Sequence, residues 1–294
     1  MIECRRQHYT ENKEAILERQ KQHYAKNKEA ILEYQKQYRQ ENKEAISEYK
    51  KNISVGMLLL FSNWFSLLIL GSAKMFIQWK WGSLLFGKIS FSLSISNLFI
   101  AFISAVSIVL FLMLKRMEND KLPSLYFYIR KGLTTFLLIA MLFYFPCRNI
   151  LNYFLPAYKE GVEYLGVLLP VVAFTSKITL LTNTYLKTYR KEREMLKVNF
   201  CTVVLALLLF GVSAYCVESL QMLLLSIVVV TMISSVLSEL VVMKTIKIFK
   251  VKDFGIELVI CCIFIISTQC IGGYKGMLLY SVAICVYCLY YKKD

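Results

Sequence analysis

Residues 155–199 read LPAYKEGVEYLGVLLPVVAFTSKITLLTNTYLKTYRKEREMLKVN. This stretch is a short loop, then an apolar run long enough to cross a bilayer, then a dense basic patch. One ammonium group, that of Lys177, lies near the middle of the apolar run. A charge at that depth costs about 2.5–3.5 kcal/mol, so we expect this side chain to avoid lipid.

Two environments for Lys177 satisfy this requirement. We favour a polar, functional cavity, because close packing of helices does not require an ammonium group. The alternative is a buried ion pair with a carboxylate such as that of Glu239, which stands near the end of a later apolar run. The two differ in whether the cation is available to an anionic ligand.

The composition of the whole chain is that of an integral membrane protein. Of its 294 residues 57% are hydrophobic, and the mean hydropathy is +0.50. The net charge of +15 lies mostly between apolar runs, which is typical of cytoplasmic loops and argues against a nucleic-acid partner. Of the nine cysteines, six lie in or at the ends of apolar segments, and we interpret these six as small hydrophobic residues. The two histidines, His8 and His23, lie in a polar tail, so we expect no metal site and no cofactor.

Residues 1–52 form a repetitive, charged segment. The sequence NKEAI recurs at residues 12–16, 27–31 and 42–46, and strong helix formers dominate. A fifteen-residue period over four turns is about 3.75 residues per turn, which favours right-handed supercoiling if such helices pair. The segment is therefore either a solvated single helix or a weak coiled coil, used as a spacer or as a partner contact.

From residue 53 onwards the composition changes abruptly, and eight candidate membrane spans follow. They lie at about 54–73, 89–114, 132–154, 163–186, 198–217, 220–243, 254–272 and 276–291. The even number of spans and the excess of Lys and Arg in alternate loops predict that both termini are cytoplasmic. Arg130 then belongs to the loop before the third span. The sequence predicts an all-α, polytopic membrane bundle.

Polar side chains within the spans are the candidate site residues. Asn63 and Lys74 are eleven residues apart and share a face of the first span, although Lys74 is near enough to the end to reach the interface. Asn97 belongs to a small, polar stripe on the second span, and Asn183 follows Lys177 in a polar part of the fourth. For the Ser and Thr residues of these faces, tight helix packing is the alternative. Glu239 is a candidate for ion or proton coupling.

Several segments resemble the C-terminal half of bacterial oligosaccharide or polysaccharide flippases, in the superfamily that includes the multidrug exporters. The order and spacing of these segments over about 240 residues carry the resemblance. They are ISVGMLLLFSNW at 53–64, WG at 81–82 with FGKIS at 86–90, LPAYK at 155–159, YL at 164–165 with LP at 169–170, and YLKTYRKE at 185–192 followed by Asn199.

The resemblance implies a fold and a function. Such flippases have two lobes that enclose a cationic cavity, which takes a lipid-linked oligosaccharide by its polyprenyl diphosphate and exposes it to either side of the inner membrane. Residues 53–250 would be the second lobe, with six spans, and residues 251–294 an additional C-terminal pair. Lys177 and Lys74 would bind the headgroup, with Asn63, Asn97 and Asn183 lining the cavity.

The chain departs from the flippase pattern in two ways. The repetitive tail stands in place of a first lobe, so transport would need a separately encoded lobe or a homodimer. Where family members often carry an acidic or Arg pair, residues 71–74 read GSAK, which retains one cation. No GxxxxGK[ST] signature for ATP binding is present, so we expect an ion gradient, the membrane potential or product consumption to drive transport.

A transporter of this kind would not be an enzyme. Two other functions remain as alternatives. A polysaccharide polymerase or acyltransferase of the same pathway needs a large outer loop or a His/Asp pair at the membrane surface. The longest outer loop, at about 74–88, has neither an acid nor a histidine. The third candidate is a non-transporting scaffold whose helical tail recruits biosynthetic enzymes.

Overall fold

A computed structural model describes residues 13–248 and 252–293, and within these ranges the chain is α-helical without a strand. The helices are α1 (Lys13–Glu41), α2 (Lys43–Arg116), α3 (Leu122–Leu142), α4 (Tyr144–Phe154), α5 (Lys159–Lys177), α6 (Asn183–Thr188), α7 (Glu192–Gly211), α8 (Leu220–Ile246), α9 (Lys252–Ile266) and α10 (Gly273–Lys293). Short 3-10 turns lie at Asn119–Lys121 and Pro156–Tyr158, and π-helical segments at Ile178–Thr182, Val212–Cys216 and Ser267–Ile271. The prediction of an all-α chain is confirmed in these residues.

Within residues 13–248 and 252–293, seven helical segments are long and apolar enough to cross a membrane. The first of them, α2, has 74 residues, and an unbroken helix of that length would extend about 110 Å, several times the thickness of a bilayer core. Its backbone leaves the helical conformation at Gly82, where φ is 81°. Glycine suits this position because other residues rarely adopt a positive φ. The break divides the helix into residues 43–81 and residues 83–116. We call residues 58–81 the first arm and residues 83–116 the second arm.

Contacts of the first arm show that it runs along α7. The amide of Asn199, near the start of α7, donates to the carbonyl and the hydroxyl of Ser62 at 2.9 and 2.8 Å. At the other end of the arm, Nζ of Lys80 lies 2.5 Å from Oε1 of Glu218, just beyond α7. The bundle therefore has an Asn199 end and a Glu218 end.

The second arm returns from the Glu218 end. Nζ of Lys88 lies 2.7 Å from Oε2 of Glu160 near the start of α5, and Oγ of Ser107 lies 2.8 Å from Oγ1 of Thr184 beyond its end. A Cβ on Gly161 would come within 2.8 Å of the Lys88 carbonyl oxygen, so the absence of a side chain permits this close approach. The two arms are thus antiparallel, and α2 supplies two of the predicted eight passes.

The third predicted span begins earlier than the sequence indicated. The helix α3 starts at Leu122 with Pro123 in its first turn, a position that proline favours, and continues to Leu142. Arg130 lies two turns inside this helix and is 2% exposed. The prediction that Arg130 is a loop cation is wrong, because its charge is neutralised inside the bundle and does not need water.

Residues 1–57 form a compact unit distinct from residues 58–294. Its described part is helical, as predicted, and residues 1–12 lie outside the described ranges. The side-chain amides of Asn27 and Asn42, at equivalent positions of successive repeats, donate to the carbonyls four residues earlier, at His23 and Tyr38. The apolar side chains of Leu17, Tyr24 and Leu32 are exposed, which is typical of a solvated helix or of one awaiting a partner.

Candidate functional site

Lys177 is the last residue of α5 and is 2% exposed. Its ammonium contacts two carboxylates, Oε1 of Glu239 on α8 and Oε2 of Glu257 on α9, the latter at 2.5 Å. The buried ion pair, the alternative interpretation of Lys177, is thus what the structure contains. In this arrangement the ammonium faces neither lipid nor an open polar cavity.

Arg130 is the second buried cation, and it binds three carboxylates. Its Nε lies 2.8 Å from Oε2 of Glu239, its Nη2 lies 2.7 Å from Oε1 of Glu257, and its Nη1 lies 2.9 Å from Oδ2 of Asp253. All three nitrogens of the guanidinium therefore have a charged partner. Charge-assisted hydrogen bonds of this kind are the strong ones in proteins.

Together these contacts close a ring of alternating charges, which we call the charge ring: Arg130, Glu239, Lys177 and Glu257. Each carboxylate bridges the two cations with its two oxygens. The four side chains carry two positive and two negative charges, and each is at most 5% exposed. Asp253 joins the ring from outside, and its side chain is 19% exposed. The ring is therefore neutral, and Asp253 connects it to the surface.

An aromatic ring covers both cations. The Phe254 side chain lies 5.1 Å from the Arg130 guanidinium carbon and 5.6 Å from the Lys177 nitrogen, within the range of cation–π attraction. Phe254 is also buried, at 6% exposure. The Phe254 side chain therefore shields the charge ring from water on the side that faces α9.

The local sequence explains how these groups meet. Asp253 and Glu257 are four residues apart on α9 and so share a face of that helix. Lys177 is followed directly by the π-helical segment Ile178–Thr182, and such segments are frequent at functional sites. Four helices, α3, α5, α8 and α9, each contribute at least one charge.

Four buried hydroxyls close in sequence to members of the charge ring have no hydrogen-bond partner in the described part of the chain: those of Tyr126, Thr134, Ser176 and Ser235. Tyr126 and Ser235 each stand one helical turn before a ring member, and Ser176 precedes Lys177 in sequence. An unsatisfied buried hydroxyl costs about 1–3 kcal/mol. Such groups are exceptions that call for a physical explanation.

An apolar groove of about 460 Å³ opens between the second arm, α3 and α5. Phe99, Phe102 and Phe136 line its walls, and Ser176 is its polar member. Ser176 precedes Lys177 in sequence, but no member of the charge ring lines the groove.

The other predicted site residues do not join the charge ring. Asn63 and Asn97 are exposed on the two arms of α2, whereas Lys74 and Asn183 are half-buried. Within residues 13–248 and 252–293, none of these four side chains forms an ion pair or hydrogen bond with a ring member. Of the predicted set the structure unites only Lys177 and Glu239.

Sequence reasoning missed Arg130, Asp253 and Glu257. One signal was available, because Glu257 falls inside the predicted span 254–272 and needs a cationic partner as much as Lys177 needs an anionic one. Among the described residues, no group of His, Cys, Asp and Glu could hold a metal ion.

No family model, curated protein or solved structure matches this chain.

Proposed function

We propose that this chain is a membrane transport protein of the flippase type, which moves a lipid-linked oligosaccharide across the bacterial inner membrane for surface polysaccharide synthesis. The observation that carries the proposal is the charge ring inside a bundle of apolar helices. Helix packing does not need two cations and two carboxylates, and ionisable groups at membrane depth most often serve transport or proton relay.

The substrate class rests on the resemblance to flippases. A diphosphate headgroup cannot enter hydrocarbon without compensating charge. Arg130 and Lys177 are buried cations of the required sign, but both are paired with carboxylates in this structure, so binding would require these pairs to open. Glu239 keeps its proposed part in coupling, because it bridges both cations. Residues 53–250 would form the transporting lobe and 251–294 the additional pair, with both termini cytoplasmic.

A partner lobe or a second copy would complete the cavity. The exposed amides of Asn63 and Asn97 support this part of the proposal. Polar side chains at membrane depth rarely face lipid, so each of these two exposed amides is better suited to a water-filled cavity or to a contact with another protein.

The experiment is a leaflet assay in the host cell, which also contains any partner lobe. Deleting the gene is expected to trap lipid-linked oligosaccharide on the inner leaflet, and the wild-type chain restores its access to a membrane-impermeant sugar-modifying reagent. An unchanged distribution after deletion contradicts the proposal.

A further inference from the structure

We propose that residues 16–57 pair with the same segment of a second copy of this chain, as a parallel coiled coil with a right-handed twist. The contact surface is a stripe of side chains that we call the tail seam. Over one repeat its members are Ile31, Tyr34, Tyr38, Asn42 and Ile46, and equivalent positions continue it on both sides. The inference goes beyond the proposed function, because it concerns the tail and holds whether or not the chain transports a lipid.

The spacing of the tail seam indicates the sense of the twist. Its members follow one another at steps of 3, 4, 4 and 4 residues, and this pattern runs unbroken from Ile16 to Met57. On a straight α-helix of 3.6 residues per turn, the seam would rotate by about 120° between Ile16 and Ile46. Two such helices keep their seams in contact by winding around each other with a right-handed twist.

This rotation also decides between possible partners. A helix with the common seven-residue repeat has an apolar stripe that drifts in the opposite direction, so it would leave the tail seam within a few turns. A second copy of the chain has the same fifteen-residue period and follows the seam over its whole length. The tail seam is therefore matched to another copy of itself.

The tail seam crosses the junction between α1 and α2 without a break. The amide of Asn42, the residue between these helices, donates to the carbonyl of Tyr38 at 3.0 Å. The amide of Ile46 donates in turn to the carbonyl of Asn42 at 2.9 Å. Both hydrogen bonds have the four-residue spacing of an α-helix, so the helical register continues from one repeat into the next.

The aromatic and aliphatic members of the tail seam are exposed in the single chain. Tyr34 and Tyr49 are 69% and 68% exposed. Tyr38, Ile53 and Met57 are exposed as well. The rings of Tyr34 and Tyr38 stack with their centroids 6.4 Å apart, so these two side chains lie along one face of the helix. A row of exposed apolar side chains of this length indicates a contact surface.

Two asparagines in the tail seam set its register. Asn27 and Asn42 are fifteen residues apart and occupy equivalent positions. In a parallel pair without an offset, each asparagine meets its counterpart, and a polar residue within an apolar seam fixes the register in this way. In the single chain their side-chain amides donate to the backbone carbonyls of His23 and Tyr38.

Charges on the two flanks of the tail seam favour the parallel orientation. Arg39 and Lys50 lie on one flank, and Glu41 lies on the other. In a parallel pair each flank faces the opposite flank of the partner, so Arg39 approaches Glu41 of the second copy. In an antiparallel pair like flanks meet, which places the two basic flanks against each other.

The test measures the mass of the purified full-length chain in detergent, by sedimentation at micromolar concentrations. We expect a dimer, with a protein mass twice that of the 34.1 kDa chain. The variant Ile31→Lys/Ile46→Lys places two ammonium groups in the seam and is expected to weaken dimerisation tenfold or more, because burying an unpaired charge is costly. The matched control is Leu17→Lys/Leu32→Lys, which adds the same charge to the same segment at exposed positions outside the seam. It is expected to leave dimerisation unchanged.

Two results of the sedimentation experiment would overturn the inference. A wild-type chain that sediments as a monomer leaves the exposed seam to a different protein or to the membrane surface. Equal dimerisation of the two lysine variants places the contact outside the tail seam. Neither result bears on transport, which the leaflet assay measures.

Orientation and register are tested with Asn27→Cys. In a parallel pair without an offset the two new thiols lie opposite each other, so mild oxidation with copper phenanthroline is expected to link two copies by a disulfide. Wild type gives the background from the nine native cysteines, and Leu32→Cys, outside the seam, is the matched control. If Asn27→Cys is linked no more efficiently than Leu32→Cys, the parallel arrangement is overturned.

Discussion

The ammonium of Lys177 lies 2.5 Å from a carboxylate oxygen of Glu257, which follows it by 80 residues in the chain. This pair links the end of α5 to α9, and so ties the C-terminal helices to the rest of the bundle. Through the second oxygen of Glu257 the link extends to Arg130 on α3. Charge compensation inside the bundle therefore depends on the docking of α9.

Removing one member of the charge ring is expected to destabilise the protein strongly. Lys177→Met leaves Glu239 and Glu257 with an uncompensated buried charge, and breaking a buried pair in this way costs about 3–5 kcal/mol. The matched control is Lys197→Met, whose ammonium is 69% exposed and pairs with Glu194. Its loss is expected to cost less than about 1 kcal/mol. Denaturant unfolding in detergent measures both changes.

Removing an opposite pair of charges is expected to restore stability. In Lys177→Met/Glu257→Met the net charge of the cluster is the same as in wild type, and Arg130 keeps Glu239 and Asp253 as partners. Replacing buried ion pairs by apolar groups is often neutral or stabilising. A double variant as unstable as the sum of the two single variants would show that the pair is not coupled.

Close packing between the second arm and α5 is tested at Gly161. A methyl group there would lie 2.8 Å from the Lys88 carbonyl oxygen, so Gly161→Ala is expected to lower stability by about 1–3 kcal/mol through a backbone shift. The control is Gly132→Ala, also in a helix, where a Cβ meets nothing within 4 Å. That change is expected to be neutral or to stabilise by up to about 1 kcal/mol. Equal effects of the two substitutions on thermal unfolding would contradict the packing.

The Glu218 end of the bundle should show a small acid dependence. The Lys80 ammonium donates a hydrogen bond to Glu218 and holds the pKa of that carboxyl below its ordinary value of 4.5. Because the pKa of Glu218 is lower in the folded state, the ionised carboxylate stabilises the fold at pH values above 4.5. This stabilisation is lost as the pH falls through the pKa of the folded state. The difference in unfolding midpoint between wild type and Glu218→Gln is therefore expected at pH 7 and should disappear in acid. A difference in unfolding midpoint between wild type and Glu218→Gln that grows as the pH falls would contradict this prediction.

Deleting residues 1–50 separates a transporter from a scaffold. Residues 1–57 form their own compact unit, so the deletion leaves the packing within residues 58–294 in place. A flippase is expected to retain most of its export in the leaflet assay, whereas a scaffold loses it when the tail no longer recruits enzymes. Loss of export by a truncated chain that still accumulates in the membrane would favour the scaffold.

The sequence predicts the apolar helices well because an apolar run of about twenty residues is typical of a membrane-spanning helix. The outer loop predicted at 74–88 is wrong in extent, because the structure keeps this segment helical except at Gly82, where a glycine is free to adopt the positive φ that the reversal of α2 uses. The charge ring is less accessible to sequence reasoning. Arg130 meets Glu239 and Glu257 across 109 and 127 residues, and hydropathy carries no information on which faces of distant helices meet.

Arg130 shows why a basic residue near a span end is ambiguous. It is followed by Lys131 and stands next to an apolar run, which is also the pattern of a positive-inside loop. Only the carboxylates of α8 and α9 distinguish a buried guanidinium from a cytoplasmic one. For Lys177, sequence reasoning identified both alternatives, and the choice between them required the position of α9.

The most direct test of the account is the leaflet assay in host cells whose only copy of the chain carries Lys177→Met/Glu257→Met. Because this variant is expected to fold like wild type, the assay measures the function of the charge ring apart from its stability. The account predicts that lipid-linked oligosaccharide stays on the inner leaflet, as it does after deletion of the gene. Wild-type distribution of the lipid in cells with this variant would contradict a functional role for the charge ring.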